Sequence, residues 1–302
     1  MNSHLSRVLI GAFAMSLAAC SHSEPRTAGR YIEKITVAGK TRDYILHIPK
    51  GYDHTKPTPV VIALHGLSST ATQFESVLRL GEECNKGGFI LAIPNGLPEG
   101  LRGWNAGFFK ISGEKSDVDF MKTILDKLEG EFNIDKKREY VFGHSNGAMM
   151  SYYLGSVMGD RLAAVAGISG SVGLPANGSL DTIPAPKSPV SVLLLHGKAD
   201  NVVVYKRGMK AMLQSMGADE SAEWWAKNFG LTPKPDAIEY KKDQATIRQF
   251  GKSEKGAEVT LITSENGTHE IFGGWYGAGR ESKSGIIAWD EIWKFFQEHP
   301  KA

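Results

Sequence analysis

Residues 140–150 read Tyr140-Val141-Phe142-Gly143-His144-Ser145-Asn146-Gly147-Ala148-Met149-Met150. The stretch consists of an apolar run, a Gly-x-Ser-x-Gly sequence and a helix-like segment, in that order. In such a stretch a strand turns tightly into a helix, and the two glycines give the backbone the room that the turn needs. The pattern predicts that Ser145 is a nucleophile at the carboxyl end of a buried strand. The alternative is that Ser145 only caps the helix.

The sequence around this turn predicts an α/β fold. Other apolar runs are of the kind that is buried on both faces of a sheet, and helical patterns separate them. We therefore expect one domain over residues 30–302, with a mostly parallel central sheet and helices on both faces. The strand-like runs are Val60–Leu64, Phe89–Pro94, Val190–Leu195 and Glu258–Thr263, the helical patterns are Val118–Phe132, Ala148–Met158, Gly208–Met216 and Ile286–Phe296, and a hairpin is expected over Tyr31–Val37 and Arg42–Ile48.

The composition excludes several classes of protein. The 302 residues are 41% hydrophobic and 23% charged, which is ordinary for a globular chain. Lys and Arg number 35 against 33 Asp and Glu, and no long basic run occurs, so we expect no nucleic-acid partner. The sequence has no His-Glu-x-x-His, paired-Cys or Walker pattern, so we expect neither a metal nor a nucleotide cofactor.

The N-terminal residues predict export. Residues 1–19 combine a positive charge, an apolar stretch and small residues, as a secretory signal peptide does. The ending Leu17-Ala18-Ala19-Cys20 resembles a bacterial lipobox, which implies a lipid on Cys20, a tether over residues 20–29 and attachment to a membrane surface. The alternative is a plain signal peptide with a chance cysteine. Because only Cys84 would remain, we expect no intrachain disulfide.

A serine hydroxyl needs a base before it can attack, and in this class of fold the chain order is serine, acid, histidine. His269 follows the last apolar run, and Asp200 follows the run before it. We expect His269 to be the base and Asp200 the acid that orients it. The alternatives are an exposed loop histidine and a turn-forming aspartate. His299 is a weaker candidate base, because we expect it on a solvated helix end at the C-terminus.

The negative charge of a tetrahedral intermediate needs preorganised backbone donors. The N–H of Asn146, directly after the serine, is one expected donor. The other is expected from the loop after the first buried run, Leu64-His65-Gly66-Leu67-Ser68, with the Leu67 N–H as first choice and the Gly66 N–H as second. The alternative for this loop is a simple turn at the end of a strand.

Four further ionisable residues are expected to be structural. His144 and His196 adjoin the expected catalytic residues in sequence, but neighbouring side chains point in different directions, so we interpret both as satisfied structural histidines. Asp117 and Asp119 stand at the start of an amphipathic helix, where carboxylates cap the helix and complement its dipole.

Several short stretches resemble one family, the secreted α/β-hydrolase esterases related to polyhydroxybutyrate depolymerases and feruloyl or acetylxylan esterases. They occur in the family's order over most of the chain after the leader. The resemblance implies the α/β-hydrolase fold and hydrolysis of carboxylic esters, with Ser145, Asp200 and His269 as the triad. The matching stretches are Leu64-His65-Gly66, Gly103-Trp104-Asn105, Asp117-Val118-Asp119-Phe120, Gly143 to Met150, His196-Gly197 with Asp200, Trp224-Trp225, and Gly256 to Val259 leading to His269.

Two departures from the family's pattern concern the substrate. Leu67 stands where members often carry a Cys, and Asn266-Gly267-Thr268-His269-Glu270-Ile271-Phe272 stands where many carry Gly-Gly-His-x-Trp-Pro. We expect no separate polymer-binding domain, and therefore small-molecule or oligomeric esters, either hydroxyalkanoate oligomers or feruloyl- and acetyl-type esters. Trp104 and Trp275 are the expected substrate-binding residues, and the alternative is that they pack the loops.

Two other functions stay open on the residues alone. A peptidase or an acyltransferase could use the same scaffold, since a fold does not fix function. A non-catalytic surface binding protein could also have this fold. A complete triad argues against a binding protein, because binding does not need all three groups.

Overall fold

Strands and helices alternate along most of the chain in a computed structural model that describes residues 26–98, 101–111, 116–231, 238–242, 244–276, 279–281 and 285–302. The helices are α1 Ala71–Leu78, α2 Leu80–Gly87, α3 Asp117–Glu131, α4 Asn146–Val157, α5 Ala218–Asn228 and α6 Ala288–Glu298. The strands are β1 Gly29–Val37, β2 Lys40–Ile48, β3 Thr58–Leu64, β4 Ile90–Pro94, β5 Ile134–His144, β6 Ala164–Ile168, β7 Gly173–Ala176, β8 Ser179–Thr182, β9 Ser191–Gly197, β10 Ile238–Lys242, β11 Ala245–Lys252, β12 Glu258–Ser264, β13 Gly274–Tyr276 and β14 Gly279–Glu281.

One large sheet organises these elements. Within the described residues ten strands belong to it, in the order β1-β2-β4-β3-β5-β6-β9-β12-β11-β10. The neighbours from β4 to β12 run parallel, and the strands beyond them at both edges pair antiparallel. The predicted mostly parallel sheet and the predicted hairpin, β1 with β2, are therefore confirmed.

Helices cover both faces of the sheet. Along β3, Val60 and Ile62 point into one apolar core, and Val61 and Ala63 point into the other. The first core contains residues of α3, α4 and α5, and the second contains residues of α1, α2 and α6. Because both faces are covered, a central strand is apolar at nearly every position, which explains the uninterrupted runs in the sequence.

The helix predicted over Gly208–Met216 is wrong. Residues 208–216 are irregular, and the helix that follows β9 is α5, which begins at Ala218. The backbone N–H groups of Met212 and Leu213 donate to carbonyls of residues 201 and 202, so they are not available for helical bonds. Tertiary pairing therefore overrides the helical pattern predicted for this segment.

The predicted signal peptide, Cys20 and residues 20–25 of the predicted tether lie outside the described residues. At the start of the described part, Arg26 forms ion pairs with Glu33 of β1 and Glu131 of α3. Among the described helices, none is both long enough and apolar enough to span a bilayer.

Candidate active site

Ser145 occupies a strained turn between β5 and α4. Its φ of 56° and ψ of −120° lie in a region that residues with a side chain rarely adopt. A Cβ atom on Gly143 would collide with the backbone of Gly147, and one on Gly147 would collide with the carbonyl of Leu64. Both glycines are required by this close approach, and the strand, turn and helix predicted around Ser145 are present.

Ser145, His269 and Asp200 form a hydrogen-bonded chain. His269 Nε2 lies 2.9 Å from Ser145 Oγ, and His269 Nδ1 lies 2.9 Å from Asp200 Oδ2. Because an ionised carboxylate only accepts, Nδ1 carries the ring proton, and Nε2 is free to accept the serine proton. The structure thus brings together the three residues that the sequence singled out.

The loops that carry Asp200 and His269 meet where two glycines let their backbones touch. A Cβ atom on Gly197, at the end of β9, would overlap the carbonyl of Gly267, which follows β12. The Ala199 N–H donates to that same carbonyl at 2.9 Å. This contact between the two loops allows the acid and the base, 69 residues apart in sequence, to lie within hydrogen-bonding distance.

The buried carboxylate of Asp200 faces four donors. Its Oδ1 accepts from the N–H groups of Val202 and Val203 at 2.8 and 2.9 Å. Its Oδ2 lies 2.9 Å from His269 Nδ1 and 3.2 Å from His196 Nε2. Burial alone would raise the pKa of Asp200, but the hydrogen bonds from His196 and His269 hold it well below its ordinary value. Asp200 is therefore ionised at neutral pH, and its contact with His196 is one that the sequence did not suggest.

His144 lies beside His269 without bonding to Ser145. The two imidazole rings are 5.0 Å apart, and His144 Nε2 is buried with no hydrogen-bond partner among the described residues. Burial, and next the neighbouring His269, lower the pKa of His144 to about 3. The ring is therefore neutral at ordinary pH and does not bond to Ser145, but the expectation that its nitrogens are satisfied is wrong for Nε2.

His65 fixes the loop that was expected to supply an oxyanion donor. The Gly96 N–H donates to His65 Nε2 at 3.0 Å, so Nδ1 carries the proton and donates to the Gly66 carbonyl at 2.7 Å. Burial lowers the pKa of His65 to about 4 and keeps the ring neutral. Because a trans peptide directs its C=O and N–H oppositely, the Leu67 N–H points away from the His65 ring. A Cβ atom on Gly66 would lie 3.4 Å from Ser145 Cβ, so this peptide borders the serine.

Trp104 has no surface from which to contact a substrate. Its exposed fraction is 0%, and its ring lies 5.0 Å from that of His65. The predicted substrate contact of Trp104 is therefore corrected to a packing role, the alternative considered above. The loop that contains Trp104 is held inward because the N–H groups of Trp104 and Asn105 donate to the buried side chains of Asn146 and Asp117.

Asp117 is a buried ion-pair partner rather than a helix cap. It is the first residue of α3, but the N-cap position is Ser116. Asp117 Oδ1 accepts from Arg42 Nη2 at 2.9 Å, and Oδ2 accepts from the Asn105 N–H at 2.9 Å. The capping expected of Asp117 is thus wrong, whereas Asp117 and Asp119 do lie in the first turn of α3, where carboxylates complement the helix dipole. The Asp117 carboxylate ties β2 and α3 to the loop that contains Trp104.

His299 is also placed differently from the expectation. It is 8% exposed rather than solvated. Its Nδ1 lies 2.7 Å from the Phe295 carbonyl, and its Nε2 lies 2.9 Å from Glu258 Oε2. His299 therefore fastens the end of α6 to the start of β12 and is bonded away from Ser145.

Two further expectations concern this site: Trp275 was expected to bind the substrate, and no metal was expected. Trp275 lies in β13, where it pairs with Arg280. The contact predicted for its side chain lies outside what the structure describes. Within the described ranges, no group of three or more His, Cys, Asp or Glu side chains is placed to hold a metal ion.

Known proteins with related sequences are esterases. Residues 36–281 match the Esterase family, described as "Putative esterase". Feruloyl esterase B of Piromyces equi is 28% identical over 261 residues, which are 84% of this chain and 45% of that protein. Feruloyl esterase C of Emericella nidulans is 31% identical over 173 residues, which are 56% of this chain and 58% of that protein. The chain thus spans about half the length of these curated relatives.

Solved structures of related shape include two hydrolases. Acetyl xylan esterase from Aspergillus awamori matches with a TM-score of 0.66 at 15% identity, over 88% of this chain and 99% of that one. S-formylglutathione hydrolase from Agrobacterium tumefaciens matches with a TM-score of 0.57 at 14% identity, over 90% and 95%. At such identities the likeness concerns the fold alone. Together with the match over residues 36–281, it shows that the chain has the α/β-hydrolase fold and belongs to the Esterase family.

Proposed function

We propose that this protein is a serine carboxylic-ester hydrolase in which Ser145 is the nucleophile, His269 the general base and Asp200 the acid of the triad. The observation that carries the proposal is the continuous chain from Ser145 Oγ through both nitrogens of His269 to Asp200 Oδ2, with 2.9 Å at each step. Membership of the Esterase family supports an ester as the bond that is cleaved.

The reaction has two halves in this scheme. Ser145 Oγ attacks the ester carbonyl carbon while His269 Nε2 takes its proton, and the alcohol leaves with that proton as the carbon–oxygen bond breaks. A water molecule, deprotonated by the same nitrogen, then attacks the acyl-enzyme and releases the acid, and the proton returns to Ser145. Asp200 stays ionised and stabilises the imidazolium in both halves.

The Leu67 and Asn146 N–H groups are the proposed donors to the oxyanion. Within the described residues no acceptor is found for the Leu67 N–H. The Asn146 N–H is in the first turn of α4, where backbone donors have no partner inside the helix. Negative charge is also favoured at the N-terminus of a helix of 12 residues such as α4.

The proposed substrates are small or oligomeric esters of feruloyl or acetyl type, or hydroxyalkanoate oligomers. The names of sequence relatives, which include feruloyl esterases and a bifunctional acetylxylan esterase/xylanase of Neocallimastix patriciarum, support the first two types, and the resemblance to depolymerases supports the third. A panel of p-nitrophenyl acyl esters, methyl ferulate, acetylated xylo-oligosaccharides and hydroxybutyrate oligomers ranks these acyl groups directly.

The panel is run with wild type, Ser145→Ala and Ser179→Ala, an exposed serine that serves as the control. We expect wild type and Ser179→Ala to hydrolyse esters and Ser145→Ala to lose at least about 10⁴-fold in kcat. Absence of ester turnover by folded wild type contradicts the proposal. Equal cleavage of amides indicates a peptidase instead, and a preference for alcohol acceptors over water indicates an acyltransferase.

We also propose that residues 1–19 are a signal peptide, that Cys20 carries a lipid, and that residues 20–29 tether a catalytic domain of residues 30–302 to the outside of a bacterial membrane. The lipobox resemblance supports the lipid, and the inclusion of β1 and α6 in the layers of one sheet supports the single domain. In a bacterial host, labelled palmitate should enter the wild type and not Cys20→Ser. Equal labelling, or equal recovery of both proteins with membranes, contradicts the anchor.

A further inference from the structure

Two donors stabilise an oxyanion only if their separation is held fixed. In the proposed site the donors belong to different elements, since Leu67 is on the loop after β3 and Asn146 begins α4. Trp104, which the proposed mechanism does not use, contacts both elements, through its indole on one side and through its backbone on the other.

On the side of the loop, Trp104 bonds to the residue that orients the donor peptide. Its indole Nε1–H donates to the His65 carbonyl at 2.8 Å. The His65 ring in turn donates to the Gly66 carbonyl at 2.7 Å, which directs the following N–H of Leu67. The indole therefore fixes the backbone from which the Leu67 donor projects.

On the side of the nucleophile, Trp104 forms a reciprocal pair of bonds with Asn146. The Trp104 N–H donates to Asn146 Oδ1 at 2.7 Å, and Asn146 Nδ2 donates to the Trp104 carbonyl at 2.9 Å. Both Trp104 and the Asn146 side chain are buried, so these bonds do not compete with bulk water. The pair fixes the residue that supplies the second donor.

The residue before Trp104 lies between the two donor residues. A Cβ atom on Gly103 would lie 2.7 Å from Asn146 Oδ1 and 2.8 Å from Leu67 Cδ1. Only glycine therefore fits between these side chains as they stand. Next to it, the Arg102 carbonyl accepts from the Ser68 N–H at 2.7 Å, which adds another bond between this segment and the loop after β3.

We propose that Trp104 is a positioning residue that sets the separation of the Leu67 and Asn146 donors. This inference rests on the proposed function. Because Trp104 is fully buried, it acts through His65 and Asn146 and does not touch the substrate. Its removal should weaken binding of the transition state and leave ground-state binding unchanged, whichever acyl group is used.

Trp104→Phe removes the indole N–H and keeps an aromatic ring. Trp225→Phe is the matched control, because Trp225 is equally buried but its Nε1 has no partner among the described residues. We expect Trp104→Phe to lower kcat roughly 10- to 100-fold with KM nearly unchanged, and to weaken inhibition by an arylboronic acid, a tetrahedral analogue, by the same factor. Inhibition by the product carboxylate should not change. Trp225→Phe should keep the wild-type kcat.

Gly103→Ala is a second variant, whose added methyl group should push apart the side chains of Leu67 and Asn146. It should also lower kcat with KM nearly unchanged and weaken inhibition by the boronic acid. A kcat within twofold of wild type in folded Trp104→Phe, a rise in KM alone, or boronate inhibition that does not follow kcat overturns the inference. If Ser145→Ala is inactive while Trp104→Phe and Gly103→Ala behave as wild type, the positioning role fails and the proposed function stands. If Ser145→Ala keeps the activity, the proposed function itself fails.

Discussion

His196 Nε2 lies 3.2 Å from Oδ2 of Asp200, the carboxylate oxygen that also faces His269. The same nitrogen lies 3.0 Å from the Val203 carbonyl. Because a carbonyl and an ionised carboxylate only accept, Nε2 of His196 carries the proton. The charge of Asp200 is therefore shared between two histidine donors, and one of them is outside the proposed triad.

Removal of the His196 donor should move the acid limb of the kcat/KM profile. With His196→Phe, Asp200 loses one of the two histidine hydrogen bonds that hold its pKa below the ordinary value, so the pKa of Asp200 should rise and the activity that needs ionised Asp200 should be lost at a higher pH. His196→Gln keeps a donor and should resemble wild type. The other titratable rings nearby, His144 and Tyr205, are unchanged in both variants. Rate profiles from neutral to acid pH check this, and an equal shift in both variants, or none in His196→Phe, contradicts it.

The ion pair of Arg42 with Asp117 should matter for stability. Both side chains are almost fully buried, with exposed fractions of 1% and 4%. Arg42→Met leaves a buried carboxylate without its cation and should lower the free energy of unfolding by about 3 kcal/mol. Arg207→Met, which breaks a more exposed pair with Glu220, should cost less than about 1 kcal/mol. Urea titrations measure both, and equal losses would show that burial does not control the effect.

His65 should make the protein less stable in acid. Its pKa is lowered from 6.5 to about 4 by burial, so below pH 6.5 the unfolded chain binds a proton that the folded chain does not. The stability that neutral His65 contributes is present above pH 6.5 and declines as the pH falls to about 4, by up to about 3 kcal/mol.

The stability advantage of wild type over His65→Gln should therefore shrink between these pH values. His54→Gln replaces an exposed histidine and serves as the control. Unfolding titrations at several pH values check this, and a constant difference between wild type and His65→Gln rejects it.

Trp275 is the second substrate-binding residue that the sequence predicted, after Trp104. Trp275→Ala should raise KM for aromatic esters such as methyl ferulate more than KM for acetate esters, because an aromatic ring loses a stacking partner and an acetyl group does not. Kinetics with both substrates measure the two KM values. Equal changes for both count against an aromatic acyl pocket at Trp275.

The sheet, and the grouping of Ser145 with Asp200 and His269, could be predicted because both follow from the order of strands and loops along the chain. Ser145, Asp200 and His269 each follow a strand of the parallel part of the sheet, and the carboxyl ends of such strands meet at one edge. The glycine pattern of the turn, the apolar runs and the chain order serine, acid, histidine together singled out these residues.

Contacts between distant loops could not be predicted in this way. Trp104 resembles an exposed aromatic in its polar loop, and it is buried because Asp117, Asn146 and His65 bind its segment from three elements. The contact of His196 with Asp200 was missed for a similar reason. His196 is within the apolar strand β9, and it meets Asp200 only because the loop after β9 folds back towards the strand.

Trapping the acyl-enzyme tests directly whether Ser145 is the nucleophile. Wild type and Ser145→Ala are mixed with p-nitrophenyl acetate, quenched in acid and analysed by intact mass and peptide mapping. We expect one acetyl group on wild type, located on the peptide that contains Ser145, and none on Ser145→Ala. An acetyl group on another residue, or equal labelling of both proteins, would contradict nucleophilic catalysis by Ser145.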